Sequence, residues 1–459
     1  MEKKLIFNVE DKPKFNQMLV FALQQLLAIM AATIAVPGIV GNGMSMSAAL
    51  FGAGVGTLVY QLLTKFRSPV FLGSSFAFIG SMFAAFAGGV SMSLGFLGLI
   101  MGAAFAGLVY VVIAAIVKLV GVNWINKLMP AAVIGPTVAL IGLSLAGAAV
   151  NDMFSYGPKL DDGSAFIMTG NIWVSLVCAL VTLLVVTSAA TYGNKKVKLI
   201  PFIIGVGAGY GVALIFTIIG HVAGVDALKV IDFTPFTALV EGGVGLKTFL
   251  AVPGFTFLEA IKGLKELDGS YVATIAVAYI PVAFVVFAEH IADHKNLSSI
   301  IDKDLLTDPG LHRTLLGDGI GSFAGALFGG CPNTTYGESV GCVAITRNAS
   351  VATITCTAII AILISFVSPF VAVLDSIPGC VMGGVCVTLY GFIAVSGLKM
   401  IQKVDLEDNA NLFTVSAILI PGIGGMALSI GKVTLTTIAC ALILGIVVNI
   451  LLTKFKKEK

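Results

Sequence analysis

The sequence predicts an all-α polytopic membrane protein whose fourteen transmembrane segments form a seven-plus-seven inverted repeat. Three observations carry that expectation: the composition, the spacing of the apolar runs, and matched breaks in the third run of each half. Of 459 residues, 58% are hydrophobic and 11% charged. A soluble domain is about 45–50% apolar and about 25% charged, so this chain has too few charges to coat a water-exposed surface of its size. A hydrocarbon core about 30 Å thick takes about 20 helical residues per crossing, so fourteen crossings use on the order of 280 residues. That excludes a single-anchor protein. The net charge is +3 and the basic residues form no long tract, which gives no support to nucleic-acid binding.

The apolar runs lie at 17 to 39, 46 to 64, 69 to 87, 94 to 119, 128 to 150, 169 to 191 and 199 to 222. A long loop follows. The second set is 273 to 293, 314 to 330, 333 to 346, 349 to 373, 378 to 398, 411 to 428 and 433 to 453. The expected organisation is therefore a cytoplasmic N-terminus (1–16), a first repeat (17–222), an external loop (223–272), a second repeat (273–453) and a cytoplasmic C-terminus (454–459). With both termini inside, all Lys and Arg residues fall on the cytoplasmic side except Lys159, Lys229, Lys247, Lys262, Lys265 and Lys432. The positive-inside rule requires such an asymmetry. The polar N-terminus lacks a hydrophobic stretch ending in a small-residue cleavage site, so no cleaved signal peptide is expected.

Two external segments are long enough to carry structure: 151 to 168, with Asp152, Asp161 and Asp162, and 223 to 272. In the second, FLEAIKGLKEL (257 to 267) spaces Phe257, Leu258, Ile261, Leu264 and Leu267 as an amphipathic helix at the outer surface, with a packing role.

An odd number of crossings per half forces the halves into opposite orientations. The third run begins RSPVFLGSSFAFIG (67 to 80), and its counterpart in the second half reads GGCPNTTYGESVG (329 to 341). Both place Pro upstream of a stretch rich in Gly, Ser and Thr, where Pro removes a backbone donor and Gly weakens the helix. Both are expected to be partly unwound, and paired interruptions of this kind point to a transporter's central site. A simple proline kink in each helix is the plainer alternative.

VAYIPVAFVVFAEHIADHKN sets Glu289, His290 and Asp293 at the end of an apolar run, and Glu338 follows Gly337 in the broken segment. An ionisable residue at membrane depth costs several kcal/mol unless paired or hydrated, so it marks a candidate functional site. Glu289 and Asp293 are one helical turn apart on one face. An interfacial helix-end charge is the alternative for Asp293. His290 points away, and a structural role for it and His294 is preferred to a proton relay. Burial disfavours the charged form of a carboxyl group, which suits loading a proton outside and releasing it inside. An ionised carboxyl only accepts hydrogen bonds, whereas a protonated one also donates. Two of them facing a cavity fit a planar, neutral solute bearing N–H donors and C=O acceptors; an inorganic anion calls for Arg or Lys instead. Phe76, Phe78 and Tyr336 are placed to sandwich a flat ring.

GAGVGT (52 to 57) and GVGAGYG (205 to 211) lie within apolar runs, where small residues let helices approach closely. No GxxxxGK[ST] supports ATP-driven transport. The seven cysteines include no CxxC pair and read as small core residues rather than disulfides or metal ligands. No metal site, cofactor or catalytic Ser/His/Asp arrangement is expected, and the chain is not read as an enzyme.

PNTTYGESVGCVAITR (332 to 347), AEHIADH (288 to 294), GSSFAFI (73 to 79) and DPGLHR (308 to 313) together resemble the nucleobase–ascorbate transporter family, nearest its bacterial uracil-transporting branch. Glu338, Gly341, Thr346 and Arg347 match the family's signature in the tenth span. The resemblance implies a core domain (spans 1 to 4 and 8 to 11) moving against a gate domain (spans 5 to 7 and 12 to 14), a homodimer in the cell membrane, and proton-coupled import of uracil without a cofactor. It implies that Glu289 and Glu338 bind the ring, helped by the backbone of Phe76, Ala77, Phe78 and Gly337, with Tyr336 and Ser339 beside them. Glu289, Asp293 or Glu338 carries the proton, and Gln24, Gln25, His290, Thr346 and Arg347 support the site. Three positions depart from the family pattern the resemblance implies: Gln25 stands where His is usual, Ser339 where Asn is usual, and Asp293 where some uracil carriers have His and purine carriers Asp. A xanthine or urate symporter of the same fold, or a passive nucleobase facilitator, is the alternative.

Overall fold

The structure, a computed structural model, describes residues 5–457 except 122–123, 125–128, 162, 164 and 431–432. Lys3, Lys4, Lys127, Lys432 and Lys459 of the charge count, and Asp162 of the first external segment, lie outside these residues. The chain is a mostly helical, multi-pass membrane protein. Among the described residues, eight helices are long and apolar enough to cross a membrane, and shorter apolar helices lie between and after them.

The first packing group begins with α1 (Phe15–Val40) and α2 (Met46–Leu63), the latter capped by Ser45 Oγ accepting from Ala48 N. Next come a three-residue strand, β1 (Leu72–Ser74), a 3-10 turn (Phe76–Phe78), α3 (Ile79–Ala85) and α4 (Met92–Val120). Helix α5 (Ala131–Ser144) opens a second group with α6 (Ala146–Met153), α7 (Gly170–Tyr192) and α8 (Pro201–Ala223). After the external segment and its α9 (Thr256–Gly263) comes the longest helix, α10 (Gly269–Ile301), capped by Asp268. Helix α11 (Leu311–Gly329), β2 (Asn333–Thr335), α12 (Gly337–Thr346) and α13 (Val351–Ile364) return to the first group. The chain ends with α14 (Ser368–Asp375), α15 (Gly379–Ile401), α16 (Asn409–Ile423), a small antiparallel strand pair, β3 (Leu428–Ile430) and β4 (Val433–Leu435), and α17 (Thr437–Lys457).

Helices α1, α2, α4, α10, α11 and α13 pack together, as do α5 to α8, α15, α16 and α17. The glycine runs explain how closely. A Cβ on Gly56 would lie 2.6 Å from the carbonyl oxygen of Gly321, and one on Gly321 2.7 Å from that of Gly56. Neither position accepts a side chain without parting α2 from α11. In the second group, Gly205 and Gly209 of α8 press on Thr182 and Val186 of α7.

Three sequence expectations need correction. The helix expected at 257 to 267 spans only Thr256–Gly263, and its packing face is Thr256, Ala260 and Gly263 rather than the large apolar residues. Gly263 sits against the backbone of Ser93 and Leu94 at the start of α4, an approach only a small residue allows, so Leu258, Ile261 and Leu264 stay exposed. The run read at 411 to 428 stops as a helix at Ile423, where Gly424 and Gly425 follow Pro421, with Gly425 at φ +76°. The run read from 433 opens with the β4 strand Val433–Leu435, two of whose three residues are β-branched, before its helix begins at Thr437.

Candidate functional site

Strands β1 and β2 come from opposite ends of the chain and pair antiparallel, Leu72 with Thr335, Gly73 with Thr334 and Ser74 with Asn333. Pro332, just before β2, has no N–H, but its carbonyl accepts from Ser75 N at 2.8 Å. Gly330 turns the chain into β2 in the left-handed region (φ +74°), which glycine adopts without strain. Side chains replace the ladder bonds that two such short strands lack. Thr57 Oγ1 accepts from Leu72 N at 2.9 Å, Asn333 Nδ2 donates to the Gly52 carbonyl at 3.1 Å, and Tyr336 OH donates to the Ser74 carbonyl at 2.7 Å. A Cβ on Gly73 would run into the Tyr336 ring.

Each strand leads into a helix whose first turn faces a shared cavity of about 340 Å³. On one side the cavity is lined by Ser75, Phe76 and Ala77, by Glu289 and Asp293 of α10, and by Thr334 to Glu338. On the other side α5, α8 and α15 contribute apolar residues such as Val138, Phe202 and Phe392, with Ser396 as their polar group. The first N–H groups of any helix lack intrahelical partners, so α12 presents its first backbone donors, at Gly337 and Glu338, to the cavity. Three carboxylates thus converge on one space. Asp293 Oδ2 accepts from Thr335 Oγ1 at 3.0 Å. Glu289 and Glu338 have no side-chain partner among the described residues.

Of the residues singled out from the sequence, Glu289, Asp293, Glu338, Gly337, Tyr336, Phe76 and Ala77 line this cavity. Phe78 does not; it turns back to stack on Tyr279, with ring centroids 5.5 Å apart. Ser339 lies behind the wall, where its Oγ accepts from Gln25 Nε2 at 2.6 Å and from Phe71 N at 3.2 Å. Gln24 is beside it on α1, its Oε1 buried without a partner among the described residues. Thr346 and Arg347 stand at the far end of α12. There Thr346 Oγ1 donates to the Cys342 carbonyl, and the Arg347 carbonyl accepts from Ile6 N at 2.8 Å.

His290 faces away from the cavity into a buried polar cluster. Its Nδ1 lies 2.7 Å from Asp318 Oδ2 and its Nε2 3.0 Å from Thr314 Oγ1. His294 stacks on it with ring centroids 4.0 Å apart and reaches Tyr60 OH at 2.7 Å, which donates to Ser68 Oγ at 2.7 Å. Asp318 is fully buried in α11, and sequence reasoning passed over it. A lone acid inside LLGDGIGS was the available signal, masked by the glycines around it.

A mostly helical, multi-pass chain with a small cavity between two helix groups, acids on one side and an apolar wall on the other, has the arrangement of a membrane carrier. The profile of a family described as "Permease family", for xanthine and uracil carriers, matches residues 16–431. The chain belongs to that family, the nucleobase–ascorbate transporters. It is 36% identical to the uracil permease of Bacillus subtilis (strain 168), over all of this chain and 98% of that one. It is 37% identical to that of Bacillus caldolyticus, over 98% and 95%, and 34% identical to that of Escherichia coli (strain K12), over 95% and 92%. Among solved structures, the transmembrane domain of a cyanobacterium bicarbonate transporter, BicA, superposes with a TM-score of 0.60 at 14% identity, covering 96% of this chain and all of that one. Murine Slc26a9, an anion transporter in the inward-facing state, gives 0.63 at 12% identity over 97% of this chain and 69% of that one. At such identities these two establish the fold alone.

Proposed function

We propose that this chain imports uracil together with a proton across the cytoplasmic membrane by alternating access. The observation that carries the reading is the convergence of Glu289, Asp293 and Glu338 on a cavity whose opposite wall holds no charge. A carboxylate accepts the ring N–H groups of a pyrimidine, and the α12 N-terminus donates to a ring carbonyl. The cavity volume falls in the range of small-molecule sites, about 300–1,000 Å³, and the uracil permeases among the relatives support the substrate. Glu289 is the main ligand, Glu338 the second, and one of the three acids carries the proton. Close groups share their protons, so the charge belongs to the set.

In this reading the chain crosses fourteen times as a seven-plus-seven inverted repeat. The third and tenth crossings are unwound where β1 and β2 meet, both termini are cytoplasmic, and two copies form a dimer. The group built on α1 to α4 with β1 and on α10 to α13 with β2 is the core that moves against the α5 to α8 and α15 to α17 gate. Asp293, in the position where purine carriers hold Asp, favours xanthine or urate as the second reading.

Uptake of radiolabelled uracil into proteoliposomes under an imposed inward proton gradient, with and without protonophore and excess xanthine, tests the proposal. Protonophore-sensitive accumulation indifferent to xanthine is the expected result. Accumulation of xanthine but not uracil replaces the substrate, and equilibration without accumulation makes the protein a facilitator. Loss of uptake is expected in Glu289→Gln and Glu338→Gln chains that still insert normally; full activity in both sinks the site assignment.

A further inference from the structure

Next to the substrate cavity lies a second one, of about 740 Å³, enclosed by α10, the start of α5 and the end of α15. The two cavities share two wall residues, Ala292 of α10 and Met400 of α15. Three positions beyond each stands a lysine, Lys295 and Lys403, and both lysines line the second cavity. Three residues are close to one helical turn, so Lys295 stands one turn beyond Ala292 along α10, away from Glu289, and Lys403 lies in the turn that follows the end of α15 at Ile401. Both are exposed, and neither has an ion-pair partner among the described residues. Among the described residues no carboxylate lines this cavity; apart from the lysines its polar side chain is Asn296, and the rest is apolar, as at Phe287 and Ile291. The positive-inside bias puts lysines on this face of the membrane. It does not direct two of them into a single apolar-walled space without a counter-charge. The first turn of α5, on the same wall, has no capping side chain and no acidic residue, so its dipole adds to the positive potential.

We propose that this cavity binds an organic phosphate from the cytoplasmic side. The phosphate sits between Lys295 and Lys403, and the organic body lies against the apolar wall, closing the way out of the substrate cavity. The inference rests on the first cavity being the transport site and on this face being cytoplasmic. A soluble nucleotide and a phospholipid headgroup both supply the required chemistry.

The test uses the full chain in phosphatidylcholine nanodiscs, titrated with uridine 5′-monophosphate by calorimetry. Wild-type protein is expected to bind, and Lys295→Gln and Lys403→Gln each to bind about tenfold more weakly, the loss of one charge-assisted hydrogen bond. In phosphatidylcholine proteoliposomes loaded with the nucleotide, uracil uptake by the wild type falls while both variants resist. A parallel arm replaces phosphatidylcholine with phosphatidylglycerol and omits the nucleotide; uptake lost only in the wild type assigns the phosphate to a lipid. Identical responses of wild type and variants to both nucleotide and lipid overturn the proposal. Uptake without nucleotide reports separately on the transport reading: lysine-dependent nucleotide binding by a chain that moves no uracil keeps the anion site and removes the cargo.

Discussion

Gln25 Nε2 donates a hydrogen bond of 2.6 Å to Ser339 Oγ, joining α1 to α12 inside the protein. These are two of the three positions at which the sequence departs from the pattern of the family it resembles, His and Asn being usual there. The departures meet. A shorter polar side chain on α12 is matched by an amide on α1 that still reaches it, and Phe71 N donates to the same oxygen at 3.2 Å. The pair therefore fixes the start of α12 just behind Glu338. Gln25→His and Ser339→Asn are each expected to lower uracil uptake, and the double change to recover part of the loss. A double-mutant cycle should show a coupling of about 1 kcal/mol or more. Simple additivity of the two losses would mean the contact carries no functional weight.

Gly73 faces the Tyr336 ring with no room for a Cβ. Gly73→Val is expected to separate β1 from β2 or displace Tyr336, and to abolish substrate binding even where the chain still inserts. Binding calorimetry on the purified variant checks it; wild-type affinity would show that the strand pair tolerates opening.

His290 and Asp318 form a fully buried pair, with Asp318 Oδ1 otherwise unpartnered among the described residues. Removing one member leaves a buried polar group stranded, at a cost of about 1–3 kcal/mol, whereas replacing both with apolar residues can be close to neutral. His290→Leu should lower the unfolding temperature sharply, and His290→Leu with Asp318→Leu should restore most of it. Equal destabilisation in single and double variants would show that the cluster needs its polar groups for more than satisfying each other.

At the N-terminus, Phe7 to Val9 run beside Asn348 to Val351, where Ala349 N donates to the Phe7 carbonyl and Val351 N to that of Val9. Lys303, just beyond α10, donates to Glu10 Oε1 at 2.6 Å and holds the Glu10 carboxyl below its usual value. A lowered value means that the pair's stabilisation is present above the ordinary glutamate pKa of about 4.3 and disappears as pH falls through the lowered one. The pair is exposed, so its contribution is at most about 1 kcal/mol and is screened by salt. The protection of the Ala349 and Val351 amides against hydrogen exchange, corrected for the intrinsic rate at each pH, should fall on acidification in the wild type and change less in Glu10→Gln. The same pH response in both would place the sensitivity elsewhere.

The long apolar runs were legible because hydropathy over a window is a local signal, and Pro beside Gly and Ser marked the two stretches where the structure has the short strands β1 and β2. Glu289, Asp293 and Glu338 stood out because a charge in an apolar run needs a reason. Phe78 was misplaced because residues two apart do not share a face in a helix, and in the turn from Phe76 to Phe78 the second ring packs on Tyr279 instead of the cavity. Asp318 was missed because its partner is 28 positions away on another helix. The packing face of α9 was misread because close approach to α4 favours small residues there, while periodicity weighs only the large ones.

The pairing of β1 with β2 also bears on how the protein is made. When the first strand enters the membrane, the residues that complete it, such as Tyr336 reaching the Ser74 carbonyl 262 positions on, have not been synthesised. Until they arrive, Leu72 of the nascent first half has Thr57 as a partner, while Gly73 and Ser74 lack the partners that β2 and Tyr336 later supply. Neither half is then a finished unit. The cavity wall built on β2 and α12 therefore forms only after the second half is made, and α15 completes the other side later still, so a chain cut before Asn333 carries no complete site.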